Sequence, residues 1–478
     1  MPISPNTTRK RIVLSSLLSA LVIVSMVQPA QLAQSDSARL EEETMRHFQA
    51  ILRLDTSNPP GDEKLVVDYL KSVLDREGIE TKVFALDPQR PNLVARLRGN
   101  GKKRPVLIMG HTDVVTVDPT KWKHGPFSAM REGGYVYGRG TLDDKPDVVA
   151  GLMTIIQLKR MKIALDRDVI FLAEPAEEGN GLFGINFMVE KHWSEIDSEY
   201  CLAESGGVVR SYGEILFATV STTEKVAHTV KLIARGVAGH GSMPLRSNAI
   251  AHLSRAITRV TDWQTPMRLN ETTRAYFEGL SKLSAPDDAA RYQKILQQKD
   301  TDAVQEYFAI NYPFLFSILR TSISPNIIKG GYLRNVIPSE AEATLDIRAL
   351  PDEDFAAFLE QLRKVINDPA IEVVEVSNAV RPSAPPSRLD TEAFHLIEAT
   401  HRRIYDAVTL PTMMTGGTDM AQVRARGVQC YGIGPMTDVE DIPKGFGAHS
   451  DQERILEEAL HKFVRLQWEI VLNLAKSN

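Results

Sequence analysis

Residues Val106–Lys145 read VLIMGHTDVVTVDPTKWKHGPFSAMREGGYVYGRGTLDDK. The apolar run Val106–Met109 predicts a buried strand, and it is followed at once by His111 and Asp113. Because alternate side chains of an extended chain leave on the same side, the imidazole and the carboxylate point the same way. A neutral imidazole binds a divalent cation and a nearby carboxylate orients it, so this strand end is a candidate metal site.

The same stretch ends in a second acidic motif, Gly138–Lys145. Its glycines allow a tight turn, and Asp143 and Asp144 follow directly. A histidine and an aspartate brought together at strand ends are ligands that zinc accepts. One such pair is also common on protein surfaces, so the rest of the chain must show whether this pair belongs to a metal site.

The composition is that of an ordinary globular protein. The chain has 478 residues, of which 43% are hydrophobic and 24% charged, enough for two or more domains. Its formal net charge of −5 is mild and dispersed, so neither nucleic acid nor an anionic membrane surface is expected as a partner.

The amino terminus, residues 1–33, differs from the rest. The basic run Arg9–Arg11 precedes the apolar run Ile12–Val27, and small residues follow at Ala30 and Ala33. This order resembles a secretory signal peptide, and the apolar run is short for a membrane-spanning helix. We therefore expect export, periplasmic or secreted, with an uncleaved membrane anchor as the alternative.

Only two cysteines are present, Cys201 and Cys430, and each ends an apolar run. Two buried thiols are the expectation, and one disulfide between them is the alternative that export would permit.

Helices and strands alternate before and after the first motif, which predicts an α/β domain with a parallel or mixed sheet. In such sheets ligands gather at the carboxyl ends of strands. Further candidate residues follow predicted strands there: Glu177 and Glu178 after Asp168–Ala173, Glu204 after Glu199–Ala203, the loop Gly416–Asp419, and His449, which precedes a long closing helix with an N-terminal cap.

In order and spacing, the segments GHTDVV, GRGTLDDK, EPAEEGNG, AESGG, GGTD and GAHSDQE resemble a known family. It is the co-catalytic zinc metallopeptidase family of aminoacylase-1, glutamate carboxypeptidase, carboxypeptidase S and succinyl-diaminopimelate desuccinylase. The resemblance implies a catalytic domain with a central mixed sheet flanked by helices. A smaller α+β lid and dimerisation domain would interrupt it.

The resemblance also implies two zinc ions per subunit, with cobalt or manganese as possible substitutes. One ion would bind His111, Asp143 and Glu204, and the other would bind Asp143, Glu178 and His449. Asp113 would orient His111, and Glu177 would be the general base. Here Glu174-Pro175-Ala176 precedes the acidic pair, where many members have an aspartate. Glu204 is aspartate in many peptidases but glutamate in aminoacylase-like members, which favours N-acyl amino acid or carboxypeptidase-type substrates.

The middle of the chain, residues 222–381, has a different pattern. Strand, helix, two strands, helix and strand predict a split βαβ, ferredoxin-like lid domain between catalytic parts 34–221 and 382–478. Residues 265–320 are polar and helical, similar to the longer insertion of the carboxypeptidase S-like branch. By resemblance His240 would stabilise the oxyanion, often from the partner of a homodimer, and Asn335, Arg348, Arg381 and Gly417 would lie near the substrate. A guanidinium pairs well with a free carboxylate, so Arg381 is the candidate for holding one, and Arg348 would instead serve the structure of the lid.

The sequence therefore predicts an exported zinc-dependent carboxypeptidase or N-acyl amino acid amidohydrolase that acts on small peptides or N-acyl amino acids. The alternatives are a dipeptidase, a desuccinylase or other deacylase, and an inactive peptide-binding relative. The presence of Glu177 and Asp143 disfavours the last of these.

Overall fold

The computed structural model describes residues 37–179, 181–376 and 381–477, and these form two sheet-based units. The predicted signal segment, residues 1–33, lies outside the described residues. Within the described ranges, every helix is too short or too polar to cross a membrane.

The larger unit is built on a ten-stranded mixed sheet. Its order is Glu80–Phe84, Asn92–Leu97, Val169–Glu174, Val106–His111, Tyr200–Ala203, Gln429–Gly432, Glu214–Glu224, Gly206–Ser211 and Met436–Asp438, with Thr409–Met414 also paired to Glu214–Glu224. The four strands from Val169–Glu174 to Gln429–Gly432 are parallel, so their carboxyl ends meet at one edge. The predicted mixed α/β sheet is confirmed.

Helices cover both faces of this sheet. One face carries a helix over residues 37–52 and the helices Lys64–Arg76, Lys145–Met161, Glu392–Tyr405 and Glu457–Ala475. The other face carries the short helices Ile185–Lys191, Trp193–Ile196 and Met420–Arg424. Cys201 and Cys430 are buried free thiols in register on neighbouring parallel strands, as the first of the two alternatives predicted.

The smaller unit is a four-stranded antiparallel sheet in the order Ser322–Gly330, Glu340–Ala349, Val226–Arg235 and Ile371–Val376. The helices Ala249–Asp262 and Phe355–Ile366 share its hydrophobic core. This is the predicted split βαβ arrangement. The strand Glu214–Glu224 belongs to the larger sheet, which therefore runs slightly past the boundary expected at residue 221.

The segment 265–320 is helical, as predicted, but it packs on the larger unit. Its helices are Glu271–Leu283, Pro286–Gln297, Asp302–Asn311 and Pro313–Ser317. Their aromatic core includes Leu410 and Met413 of the catalytic strand Thr409–Met414. We call this segment the helical insertion.

The helix after the second acidic motif begins at Lys145, and Pro146 fits its first turn, where a missing N–H costs nothing. The N-terminal cap predicted for the closing helix was wrong. That helix begins only at Glu457 and lacks a side-chain cap. The preceding residues Arg454–Leu456 form a strand paired with Tyr135–Tyr137, which also pairs with Met130–Glu132.

One stability prediction concerns His401, which is fully buried in the helix Glu392–Tyr405. Burial lowers the pKa of His401 to about 4. An unfolded histidine has a pKa near 6.5. The contribution of neutral His401 to the free energy of unfolding is therefore fully present above about pH 6.5 and is lost as the pH falls toward 4. We expect the unfolding free energies of wild type and His401→Gln to converge by about 3 kcal/mol from pH 7 to pH 4 in urea titrations.

The matched control is His395→Gln, because the His395 side chain is 63% exposed on the same helix. It should show no comparable convergence. A gap between wild type and His401→Gln that stays constant over this pH range would contradict the prediction.

Candidate metal centre

Two imidazoles approach one carboxylate at the carboxyl edge of the parallel strands. His111 Nε2 lies 2.9 Å from Asp143 Oδ1, and His449 Nε2 lies 3.0 Å from Asp143 Oδ2. The structure thus brings together residues from three distant segments and places Asp143 between the two histidines. This is the geometry of a carboxylate that could bridge two cations.

Three further carboxylates complete the cluster. Glu178 Oε1 lies 3.0 Å from His449 Nε2, and His111, Asp143 and Glu178 offer ligand atoms within 4.8 Å of one another. The same spacing holds for His111, Glu177 and Glu204. All of the residues predicted to bind metal therefore lie in one place.

Asp113 contacts both His111 and the loop that carries Glu177 and Glu178. Its Oδ1 lies 3.3 Å from His111 Nδ1, consistent with the orienting role predicted for it. Its carboxylate also accepts hydrogen bonds from the backbone N–H groups of Glu177 and Glu178, both 3.1 Å, and from Asn58 Nδ2 at 2.8 Å. Asp113 thus fixes the loop that carries Glu177 and Glu178. No sequence pattern indicated the contribution of Asn58.

Glu453 lies in the GAHSDQE segment, and the structure gives it a role that the sequence analysis did not assign. Its fully buried carboxylate accepts N–H bonds from Leu142 at 2.7 Å and from Asp143 at 3.3 Å. It also pairs with Arg139 Nη1 at 2.6 Å. The carboxylate therefore holds the loop that presents Asp143. The sequence signal available for Glu453 was an acidic residue shortly after His449.

Backbone strain gathers around the same residues. Ala176, Ser205 and His449 have φ values of 70°, 81° and 62°, in the left-handed region that non-glycine residues rarely occupy. Each lies within or directly beside the acidic cluster. Such conformations persist where the surrounding structure determines them, and they are frequent at functional sites.

The charges of the cluster are unbalanced. Burial raises the pKa of Glu177 to about 8, and burial with the charge of Glu177 raises the pKa of Glu204 well above its ordinary value. Hydrogen bonds with Asp143 and Glu178 raise the pKa of His449 to about 10. Burial lowers the pKa of His111, but hydrogen bonds with Asp113 and Asp143 outweigh it and raise that pKa well above the usual range. Carboxylates exceed cations here, so the site favours added positive charge.

The donor set fits divalent metal ions. Imidazole nitrogens and carboxylate oxygens are ligands of zinc and similar ions, and Asp143 offers one oxygen to each side. Nearby, Glu174 Oε2 is buried without a hydrogen-bond donor among the described residues. A buried acidic cluster of this kind is stabilised when cations occupy it.

Arg381 and Gly417 lie beside the cluster. Arg381 Nη2 contacts the Glu177 carboxylate and lies 3.5 Å from Asp419 Oδ1. Gly417 permits this approach, because an added Cβ would lie 2.8 Å from Arg381 Cδ. Arg381, predicted to receive a substrate carboxylate, is thus engaged with the predicted general base.

The remaining predicted residues lie on the smaller unit. His240 and Asn335 are exposed, and no hydrogen bond or ion pair between described residues joins either to the acidic cluster. Arg348 pairs with Asp346 at 2.8 Å and lines a cavity that Arg381 and Gly417 also line. The structure brings Arg348 near the site, whereas neither His240 nor Asn335 lines the cavities that contain the acidic cluster or Arg381.

Residues 107–473 match the family profile described as Peptidase family M20/M25/M40. The chain belongs to this peptidase family. It is therefore a hydrolase of the metallopeptidase and amidohydrolase type, and the family predicted from the motifs is confirmed.

Several curated proteins are similar to this chain. A probable carboxypeptidase S-like 2 from Dictyostelium discoideum is 28% identical, over 78% of this chain and 72% of that protein. The N-fatty-acyl-amino acid synthase/hydrolase PM20D1 of Xenopus tropicalis is 29% identical, over 78% and 73%. A probable succinyl-diaminopimelate desuccinylase from Staphylococcus aureus is 26% identical, over 69% and 74%.

Solved structures share the fold. The M20 family metallo-carboxypeptidase Sso-CP2 from Sulfolobus solfataricus has a TM-score of 0.68 at 19% identity, covering 90% of this chain and 98% of that one. A dinuclear metal binding M20 peptidase from Bacillus subtilis has a TM-score of 0.57 at 14% identity, covering 91% and 99%. The predicted catalytic and lid arrangement is thus that of known family members.

A prediction follows from the Glu453 contacts. Glu453→Ala removes the acceptor that holds the Asp143 loop, so the apparent affinity for zinc should fall about 10–100-fold, as for other residues that support metal ligands. Competition with a chromophoric chelator measures this affinity. Glu457→Ala is the control, because Glu457 pairs with Arg131 at the surface. Equal zinc affinities for the two variants would contradict a positioning role for Glu453.

Proposed function

We propose that the protein is a dizinc hydrolase that cleaves the amide bond of a C-terminal amino acid in N-acyl amino acids or small peptides. The observation that carries this proposal is Asp143, placed between His111 and His449 with Glu177 beside them. The names of the relatives, which include a probable carboxypeptidase S-like protein and an N-fatty-acyl-amino acid synthase/hydrolase, support the substrate class.

His111, Asp143 and Glu204 would hold one zinc ion, and Asp143, Glu178 and His449 would hold the other. Bound there, the ions supply Lewis-acid activation of water and of the scissile carbonyl.

The proton transfers fall to Glu177. Its side chain is 10% exposed and is held by Arg381, so its carboxylate has a fixed direction. Glu177 would take a proton from the attacking water as the C–O bond forms, and would return it to the nitrogen as the C–N bond breaks. The products are a carboxylic acid and a free amino acid, and no covalent enzyme intermediate is required.

A basic cavity supports recognition of a free carboxylate. It has a volume of about 260 Å³ and lies between the two units. Its basic lining residues are Lys225, His228, Arg348 and Arg381. A substrate carboxylate here would be paired by Arg348, by Arg381, or by both, and guanidinium groups suit that geometry.

A homodimer would bring His240 to the site. The strand Ser322–Gly330 is an edge of the smaller sheet and exposes Ile327 and Ile328, which are 52% and 63% exposed. An open, apolar edge favours pairing with a second copy, and a twofold pair buries the same edge on both chains. His240 of a partner subunit would then stabilise the oxyanion.

We also propose that the protein is exported, on the basis of the basic and apolar order of residues 9–27. Export would separate it from cytosolic biosynthetic substrates, which argues against a desuccinylase role.

The first functional prediction uses a substrate panel. Zinc-loaded protein should hydrolyse N-acyl amino acids and peptides with a free carboxyl terminus, and amidated counterparts should react much more slowly. Glu177→Gln should lower kcat by about 10²–10⁴-fold, because it loses the general base, while the bound zinc measured by atomic emission stays unchanged.

A chelated sample and Glu372→Gln, a change on the exposed face of the lid, serve as controls. Equal rates on free and amidated substrates would count against carboxylate recognition and favour an aminopeptidase. Full zinc content without hydrolysis would favour the inactive, peptide-binding alternative.

The second functional prediction tests whether His240 acts from a partner subunit. His240→Ala and Glu177→Gln should each be nearly inactive alone. Mixed dimers contain one site in which both residues are intact, so unfolding and refolding the two variants together should restore about a quarter of wild-type activity. No recovery in a mixture that sedimentation velocity shows to be dimeric would exclude a contribution from the partner.

A further inference from the structure

The two histidines of the acidic cluster are supported very differently. The side chain of His111 is 1% exposed and lies at the end of a buried strand. The side chain of His449 is 54% exposed and lies in residues 439–450, which we call the His449 loop. This loop contains one short 3₁₀ turn, Ile442–Lys444. The position of His449 therefore depends on what holds its loop to the rest of the larger unit.

A cavity of about 210 Å³ lies beneath the His449 loop. Leu142, the residue before Asp143, lines it from one side, and Phe446 and Ala448 line it from the loop. Because core side chains do not fill this space, van der Waals packing beneath the loop is incomplete. The loop must be held by specific contacts instead.

Arg454 supplies such contacts to two residues of the loop, and its side chain also lines the cavity. Its Nε and Nη2 donate to Asp441 Oδ2 and Oδ1, at 2.9 and 2.6 Å. The guanidinium lies over the ring of Phe446, 3.9 Å from the centroid. Two-pronged pairing with a carboxylate fixes direction as well as distance, and the ring contact adds cation–π attraction.

The other partners of Arg454 belong to the three-stranded sheet beside the loop. Its Nη1 donates to the Tyr137 hydroxyl at 3.1 Å, and the guanidinium lies 3.8 Å from the ring centroid of Tyr135. Both tyrosines lie on the strand that pairs with Arg454–Leu456. That strand leads directly into the Gly138–Lys145 motif. The arginine therefore connects the loop to the segment that presents the bridging aspartate.

Hydrogen bonds inside the loop extend this support to His449. The Phe446 N–H donates to the Asp441 carbonyl at 3.0 Å. Ser450 Oγ donates to the Gly445 carbonyl at 2.9 Å, which closes the chain across His449. The φ of His449 is 62°, and a non-glycine residue keeps such a conformation only where its surroundings determine it.

Glu453 and Arg454 are adjacent but support different residues of the centre. Glu453 accepts the N–H of Asp143, which belongs to both predicted zinc sites. Arg454 holds the loop of His449, which belongs to one of them. The two neighbours are therefore expected to differ in how many bound ions each one affects.

We propose that Arg454 is a positioning residue for His449, and that it sets the affinity of the zinc site formed by Asp143, Glu178 and His449. This inference rests on the two zinc sites of the proposed function and adds a residue that controls one of them. Loss of Arg454 should loosen that ion and leave the other in place.

The test is stepwise zinc binding to metal-free protein in competition with a chromophoric chelator. We expect wild type to bind two ions. Arg454→Ala should bind one with unchanged affinity and the other about 10–100-fold more weakly, as for other residues that orient metal ligands. Asp441→Asn should weaken the same ion by a smaller factor, because the ring contacts of Arg454 remain.

Arg388→Ala is the matched control. Arg388 also pairs in two-pronged fashion with a carboxylate, that of Asp390, but both side chains are 68% exposed. This variant should bind two zinc ions as wild type does.

Combination with ligand variants identifies the affected ion. In a His449→Ala background, Arg454→Ala should cause no further loss of zinc affinity, because the ligand that it positions is already gone. In a His111→Ala background it should still weaken the remaining ion about 10–100-fold. Equal losses in both backgrounds would indicate a general structural effect and overturn the proposal. Two ions of wild-type affinity in Arg454→Ala would also overturn it.

A failure of the proposed function would look different. If wild type bound two zinc ions but hydrolysed no amide, the binding titrations would test Arg454 unchanged. If wild type bound fewer than two, hydrogen exchange of the metal-free protein would test it. The amides of the His449 loop should then exchange faster in Arg454→Ala than in wild type or Arg388→Ala. Equal exchange in the three proteins would refute the positioning role.

Discussion

The structure depends on one partly buried carboxylate held between two imidazoles. Asp143 accepts contacts from His111 on one oxygen and from His449 on the other. Its direction is set by Glu453, whose carboxylate accepts the N–H groups of Leu142 and Asp143. Unpaired charge is costly to bury, so an acidic cluster of this density forms stably only where cations compensate it. The fold thus brings distant parts of the chain together in an acidic cluster that requires bound cations for its stability.

The segments that form this cluster are far apart in the sequence. The Arg139–Glu453 pair links the loop before Asp143 to the segment after His449, across 314 positions of the sequence. The larger unit is therefore complete only after the last strands and the closing helix are in place. The smaller unit is inserted between two halves of the larger sheet, and neither half alone carries all residues of the site. The smaller unit has a separate hydrophobic core.

The sequence was sufficient to predict the strands that carry the candidate site and the residues that gather there. His111, Glu177 and Glu204 follow apolar runs, and the carboxyl ends of parallel strands meet at one edge. It was insufficient for residues whose role arises only from tertiary contact. Asn58 supports Asp113 from the two-residue strand Ser57–Asn58, and the strand Arg454–Leu456 after Glu453 is equally too short to leave a periodic signal. The packing of the insertion on Leu410 and Met413 was equally invisible, since helical periodicity identifies an apolar face but not its partner.

The basic cavity combines residues of both units, and this bears on selectivity. Arg381 and Gly417 line it from beside the acidic cluster, and His228 and Arg348 line it from the smaller unit. A change in the angle between the units would alter the spacing of these cations. Under the proposed function, recognition of a substrate carboxylate therefore depends on the position of the smaller unit.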